Sequence, residues 1–247
     1  RDLIMRFQTV GACATGTSHT EREQPCQDAF EIVDRVHGSV ACVCDGAGSA
    51  AKSEIGARTL ARQVAQQLSR NIEGLVSDPT AQAQVEDAIQ IARNKLSSEG
   101  ELADYHATLC GVVLTAHGTL VFHLGDGLIF GINPDDWSDY LVSEPENGAF
   151  VETTYFFTLP GWRQHLRVFC APAQYRSWFL MSDGAASFAA KNSPWRPELN
   201  FLQPIHNYLR TTYQTQAEEA LLGTLSDPRS HRITTDDKTL VWLHRAP

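Results

Sequence analysis

The sequence has too little positive charge to grip nucleic acid or anionic lipid by general electrostatics: 20 Lys and Arg face 29 Asp and Glu, a formal charge of −9. Long apolar runs are missing too. The longest reach about six residues, against the roughly 18 that a membrane span requires. No signal-peptide h-region opens the chain, so the expectation is a soluble, cytoplasmic protein without a membrane partner. Cysteine is sparse and unpatterned. The six residues Cys13, Cys26, Cys42, Cys44, Cys110 and Cys170 contain no C-x-x-C pair, and four lie inside apolar runs, which reads as reduced core thiols rather than a disulfide scaffold. What remains, 43% hydrophobic and 20% charged over 247 residues, is ordinary globular composition, and neither repeats nor low-complexity linkers divide it. One domain over residues 1–247 is expected.

Val40-Ala-Cys-Val-Cys44 reads as a buried strand that stops at the glycine turn Asp45-Gly46-Ala47-Gly48-Ser49. Ala57, Leu60, Ala61, Val64 and Leu68 then recur at helical spacing, as do Val85, Ala88, Ile89, Ala92 and Leu96 after an Asp78-Pro79 start signal. From Leu109 the texture turns to strands: 109–114, 120–124 and 128–130 as consecutive antiparallel neighbours, then 154–158, 165–169 and 178–181 after a polar loop at 133–150. A helical stretch over roughly 197–225 and a final strand after Asp236-Asp237 complete the chain. Strands on both sides of a helical pair predict an α+β domain with two sheets and helices outside them.

Four aspartates stand where apolar strands end: Asp45, Asp126, Asp183 and Asp236, the first three each followed by Gly. One Asp-Gly alone is an Asx-type turn. Repeated at sheet ends, carboxylates brought together repel one another unless protonated or neutralised by a divalent cation, and an all-oxygen donor set favours Mg²⁺ or Mn²⁺ over Zn²⁺.

The ordered segments Gly16-Thr-Ser-His19, Cys26-Gln-Asp-Ala29, Val43-Cys-Asp-Gly-Ala-Gly-Ser49, Ser53-Glu-Ile-Gly-Ala57, Leu124-Gly-Asp-Gly127, Met181-Ser-Asp-Gly184 and Asp236-Asp-Lys-Thr239 resemble the motifs of the metal-dependent type 2C protein phosphatases, closest to their divergent bacterial branch. The resemblance runs from about residue 7 to residue 243. It implies a four-layer α-β-β-α sandwich with a binuclear centre of Mn²⁺ or Mg²⁺ at one end of two antiparallel sheets. By the same resemblance, Asp45 bridges both ions, the Gly46 carbonyl serves one, and Asp183 and Asp236 serve the other. Asp28 holds water on the metal, and Asp126 helps bind a third, weaker ion. The implied reaction is attack of a metal-activated water on phosphoserine or phosphothreonine, with phosphorylated proteins, a cognate kinase and its targets as partners.

The chain departs from that pattern in three places. Gln27 stands where a Glu is usual, and Ala47 replaces the histidine associated with leaving-group protonation. Position 23, where an arginine often holds phosphate, is Glu, which leaves Arg22 and His19 as candidate substrate ligands. Cys42 and Cys44 lack the C-x5-R cradle of a cysteine phosphatase. Two rivals share the fold: a catalytically weak or inactive binding scaffold, and a hydrolase of small phosphate esters whose pocket rim, residues 133–163, would differ.

Overall fold

The run Gly38–Cys44 is buried at every position because both faces of its sheet are covered. Val40, Cys42 and Cys44 point to a helical layer while Ala41 and Val43 point to a second sheet. The computed structural model describes residues 7–147 and 154–247. In chain order it forms β1 (Phe7–Ala14), α1 (Thr17–Glu21), β2 (Ala29–Arg35), β3 (Gly38–Cys44), α2 (Ser53–Leu68), α3 (Ile72–Leu75), α4 (Ala81–Ser97), β4 (Leu109–Thr115), β5 (Thr119–Leu124), β6 (Leu128–Ile132) and β7 (Tyr140–Ser143). Then come β8 (Arg167–Ala171), β9 (Ser177–Met181), α5 (Asp183–Ala189), the short hairpin β10 (Ala190–Lys191) and β11 (Arg196–Pro197), α6 (Leu199–Leu209), α7 (Gln214–Leu225) and β12 (Lys238–Arg245).

Two five-stranded sheets, ordered β1-β12-β9-β6-β7 and β2-β3-β4-β5-β8, pair antiparallel throughout. Three apolar layers hold them. Leu60, Val64, Val85 and Ile89 of α2 and α4 cover the second sheet, and Leu202, Leu209, Leu221 and Leu225 of α6 and α7 cover the first. Between the sheets, Val43, Val112, Val121, Ile129, Trp178, Leu180, Val241 and Leu243 interdigitate. The expected α-β-β-α order is therefore the observed one. No helix among the described residues is long and apolar enough to cross a membrane.

Several local expectations are corrected. β6 does not extend the β4-β5 meander: the chain leaves β5 at Leu124 and enters the other sheet at Leu128, where β6 pairs with β7 and β9. Gly125 makes that crossing possible with φ of +100°, a conformation a side chain would resist. Residues 154–158 form no strand beyond an isolated Asn147–Thr154 bridge. Phe157 and Trp162 instead bury themselves against the α2/α4 layer, and the Arg93 guanidinium donates to the Phe157 and Leu159 carbonyls. The 133–150 segment contains β7, and its last three residues lie outside the described ones. The helix after Asp78-Pro79 starts at Ala81, since the Asp78 carboxylate takes the Thr80 N–H in a turn. The C-terminal helical stretch is two helices, α6 and α7. β1 and β2 carried no recognised signal, and they complete the sheets.

Register fixes where strand ends meet. Ala29 lies opposite Cys44, Leu109 opposite Leu124, Leu128 and Leu240 both opposite Met181, and Ala14 opposite Lys238. The residues just outside those pairs, Asp28, Asp45, Asp126, Asp183, Asp236 and Asp237, thus share one end of the sandwich.

Candidate metal centre

That end holds a cavity of about 290 Å³ lined by Asp28, Asp45, Asp126, Asp183, Asp236 and Asp237, with His19, Gln27, Gly46, Ala47, Gly48, Thr108, Thr154 and Phe156 around them. No Lys or Arg lines it among the described residues. Seven expected site residues, Asp28, Asp45, Gly46, Asp126, Asp183, Asp236 and His19, are brought together. Arg22 is not. It caps α1, and Glu23 beside it takes a positive φ of 55°, so residues 20–25 turn outward and are exposed. The reading of Arg22 as a phosphate ligand is set aside for that reason.

Strand ends place the carboxylates, and hydroxyls assist at several of them. The Asp45 N–H donates to Thr108 Oγ1 at 3.1 Å, and Thr154 Oγ1 donates to Asp126 Oδ2 at 2.6 Å. Thr239 Oγ1 donates to Asp28 Oδ2 at 2.7 Å, and the Ser182 side chain also bonds Asp28. Asp236 has a weaker tie, Thr234 Oγ1 at 3.3 Å, and stays exposed at the rim. Gly46 sits where a Cβ would stand 2.6 Å from the Gln27 carbonyl oxygen and 2.8 Å from that of Ser53, so only glycine lets this turn close.

Crowding of acids sets the electrostatics. Burial raises the Asp28 carboxyl to about 7, helped by the charges of Asp237 and Asp183 and opposed by its two hydroxyl partners. Asp45 is pushed well above the usual carboxylate range, first by burial and then by Asp28, Asp183 and Asp126. Asp183, which opens to solvent at the cavity mouth, is raised by the protein packed around it and by Asp126. Asp45 and Asp183 act on each other directly, Asp183 pushing Asp45 further up and Asp45 holding Asp183 down. A proton thus relieves the repulsion that a cation would also relieve.

The donor set fits a hard divalent ion. Its side-chain donors are carboxylates, and the carbonyl of Gly46, a lining residue, accepts no hydrogen bond among the described residues. No three His, Cys, Asp or Glu side chains among those residues form a ligand group by themselves. A shell of separated carboxylates completed by water is the habit of Mg²⁺ and Mn²⁺ rather than of Zn²⁺. Asp45, Gly46, Asp183 and Asp236 are the residues that would hold such ions, with Asp126 beside them.

Asp237 has a different job from its neighbour Asp236. Its Oδ1 accepts the Gly16 N–H at 2.7 Å, and its Oδ2 accepts the Gln27 N–H at 2.6 Å and stands 2.9 Å from His19 Nδ1. It ties the β1–α1 turn and the approach to β2 onto β12. Sequence reasoning assigned no donor role to Thr108, Thr154, Ser182 and Thr239. Thr239 and Ser182 lay inside quoted motifs and could have been found. Thr154 carried no local signal.

The family model of protein phosphatase 2C matches residues 15–226. Serine/threonine-protein phosphatase 3 of Escherichia coli (strain K12) is 27% identical, over 96% of this chain and 97% of that protein. Among solved structures, the serine/threonine phosphatase Stp1 from Staphylococcus aureus superposes with a TM-score of 0.66 at 15% identity, covering 100% of this chain and 98% of that one. The catalytic domain of the serine threonine protein phosphatase PstP, in complex with two manganese ions, superposes with a TM-score of 0.65 at 13% identity, covering 98% of this chain and 100% of that one. With six carboxylates converged at one end of a four-layer sandwich and a family model spanning most of its length, this chain belongs to the protein phosphatase 2C family.

Proposed function

We infer that this chain is a Mn²⁺- or Mg²⁺-dependent phosphatase of phosphoserine and phosphothreonine in proteins, with two ions at Asp45, Gly46, Asp183 and Asp236 and a weaker third position at Asp126. The observation that carries the reading is a cavity lined, among the described residues, by six aspartates and no Lys or Arg. A phosphate dianion enters such a cavity only when cations offset the carboxylates. Bound divalent ions supply that charge compensation, orient the phosphoryl group and lower the pKa of water.

The chain's own residues supply the remainder. Asp28, held at Oδ2 by Thr239, lines the cavity where it can orient the attacking water or take its proton. The Asp237 carboxylate fixes His19 through Nδ1, which leaves Nε2 as the nitrogen free to serve the departing oxygen as donor. Its role is then proton delivery, with Ala47 offering no side-chain donor. The Asp183 carboxylate at the mouth and Asp126 opposite it bound the approach of the phosphorylated residue.

The bacterial phosphatases similar to this chain support protein substrates, and a cognate kinase that makes them. The six free cysteines support a cytoplasmic setting. Retention of Asp45, Asp183 and Asp236 argues against the inactive scaffold, because mutually repelling acids destabilise a fold that has no use for them. Hydrolysis of an aryl phosphate and of a phosphothreonine peptide with Mn²⁺, with Mg²⁺ and with chelator tests the reading. Activity on both substrates that disappears in chelator is expected; full activity in excess chelator overturns it.

A further inference from the structure

Cys13 and Cys26 come from different elements and meet beside the carboxylate cavity. Cys13 lies in β1 opposite Thr239 of β12, and Cys26 stands two residues before Asp28. Their sulfurs are 3.0 Å apart. A disulfide is about 2.05 Å long, so about 1 Å of approach joins them. Cys13 and Cys26 are both partly exposed, and Gln24 and Pro25 next to Cys26 are exposed, which gives a small oxidant access. The other cysteines are placed differently. Cys42, Cys44 and Cys110 are buried in the sheets, and Cys170 is exposed against the Val76 carbonyl.

The pair is wired to the site. Thr239 Oγ1 lies 3.1 Å from Cys13 Sγ and 2.7 Å from Asp28 Oδ2, while Cys13 Sγ is 3.9 Å from the Asp28 carbonyl oxygen. The loop that a bond between them would close carries Gly16 and His19, both held by Asp237. Movement of either sulfur is therefore felt at the hydroxyl that fixes Asp28.

We propose that Cys13 and Cys26 are a covalent modification site, a dithiol that hydrogen peroxide converts to a disulfide and that thereby slows the phosphatase. One thiol attacks the peroxide, whose O–O bond breaks. It becomes a sulfenic acid and water leaves. The second thiol displaces the sulfenic oxygen, which departs as a second water while the S–S bond forms. Two thiols lose two electrons and two protons, peroxide is reduced to two waters, and an added dithiol reductant reverses the step. Closure draws the Cys26–Asp28 segment against Thr239. Because about 1 Å of misplacement at a reacting group costs up to a hundredfold in rate, a fall of about threefold to a hundredfold is expected.

The test uses the whole chain carrying Cys170→Ser, so that the exposed thiol does not obscure the count. After graded hydrogen peroxide treatment, intact mass, disulfide-linked peptide mapping and Mn²⁺-dependent aryl phosphate hydrolysis are read from the same sample. The expected result is loss of two hydrogens, a linked Cys13–Cys26 peptide and a rate drop that dithiothreitol restores. Cys13→Ala and Cys26→Ser, each in that background and each compared with its own reduced rate, should lose the peroxide effect. Oxidation of either thiol to sulfinic acid without the linked peptide overturns the site. A linked peptide with unchanged rate overturns its coupling to Asp28. The rate arm rests on the phosphatase reading. A reduced protein inactive with either metal would count against that reading, while the mass and mapping arms still decide the disulfide.

Discussion

Nδ1 of His19 stands 2.9 Å from Oδ2 of Asp237, an oxygen that also takes the Gln27 N–H at 2.6 Å. With the Gly16 N–H on Oδ1, both oxygens of Asp237 are engaged by backbone donors, whereas the adjacent Asp236 is exposed and meets only Thr234. The two neighbouring acids therefore fail differently when neutralised. Asp237→Asn points an NH₂ at a backbone N–H and should lower stability by about 1–3 kcal/mol, read as a fall in Tm. Asp236→Asn should leave Tm nearly unchanged and abolish phosphatase activity. Thermal unfolding and aryl phosphate assays on the two variants check this; the reverse pattern would move the ligand to Asp237.

Asp45→Ala and Asp183→Ala should each reduce turnover by more than tenfold, above about 1.4 kcal/mol of transition-state stabilisation, without loss of fold. Removing a carboxylate held above its usual range by burial and by its neighbours relieves repulsion in chelated protein. Both variants should therefore melt at or above the wild-type temperature in chelator, and should lose the stabilisation that Mn²⁺ gives the wild type. Retention of more than a tenth of the rate in either would remove that residue from the ligand set.

A pH titration separates the buried acid from other groups. Asp28 titrates at about 7 when folded, against an ordinary value of 3.8, so the chelated native state binds the extra proton between those values and loses stability as pH rises through them. His206 and His244, lowered chiefly by burial to about 4 and about 3, act oppositely, since there the unfolded chain binds the extra proton up to about 6.5. Comparison with Asp28→Asn isolates the acid. In chelator, the variant's stability advantage should grow from pH 5 to pH 8 by an amount on the order of a few kcal/mol. A difference constant with pH would mean that Asp28 is ionised throughout.

The sheets were readable where burial on both faces leaves uninterrupted β-rich runs, as at Val40–Cys44 and Trp178–Met181. The carboxylates were readable because each ends such a run. Which sheet a strand joins was not: β6 follows β5 by three residues, and only packing against Trp178 and Leu180 shows that the chain has changed layers. Residues 154–158 have strand composition, yet tertiary burial of Phe157 and Trp162 overrides it. The role of Asp237 was not legible because its partners are backbone amides at Gly16 and Gln27, more than two hundred residues away in sequence. Arg22 looked available because sequence distance from Asp28 is short, whereas the turn after α1 directs it to solvent.

Gln27 and Ala47 both line the cavity, so the two departures from the family pattern can be tested separately. The Gln27 backbone already serves the site, its N–H to Asp237 and its carbonyl to the Gly46 N–H at 3.1 Å, and replacing its side chain leaves those bonds in place. Gln27→Glu adds a seventh carboxylate to the wall. With an effective dielectric of about 20 its attraction for a nearby divalent ion is on the order of a few kcal/mol before desolvation is counted, so the metal concentration giving half-maximal activity should fall. In chelator the same variant should melt lower, because nothing offsets the added repulsion. Ala47→His acts on a different step. Its N–H is held by the His106 carbonyl at 3.0 Å, which fixes the backbone from which a new imidazole would project at the cavity wall. A donor there assists alkyl phosphates, whose leaving oxygen needs a proton, more than aryl phosphates, which leave without one. The alkyl-to-aryl rate ratio should rise for Ala47→His and stay level for Gln27→Glu. If His19, fixed by Asp237, already delivers that proton at full efficiency, Ala47→His leaves the ratio unchanged while His19→Gln lowers it, and measuring the ratio for all three variants assigns the donor.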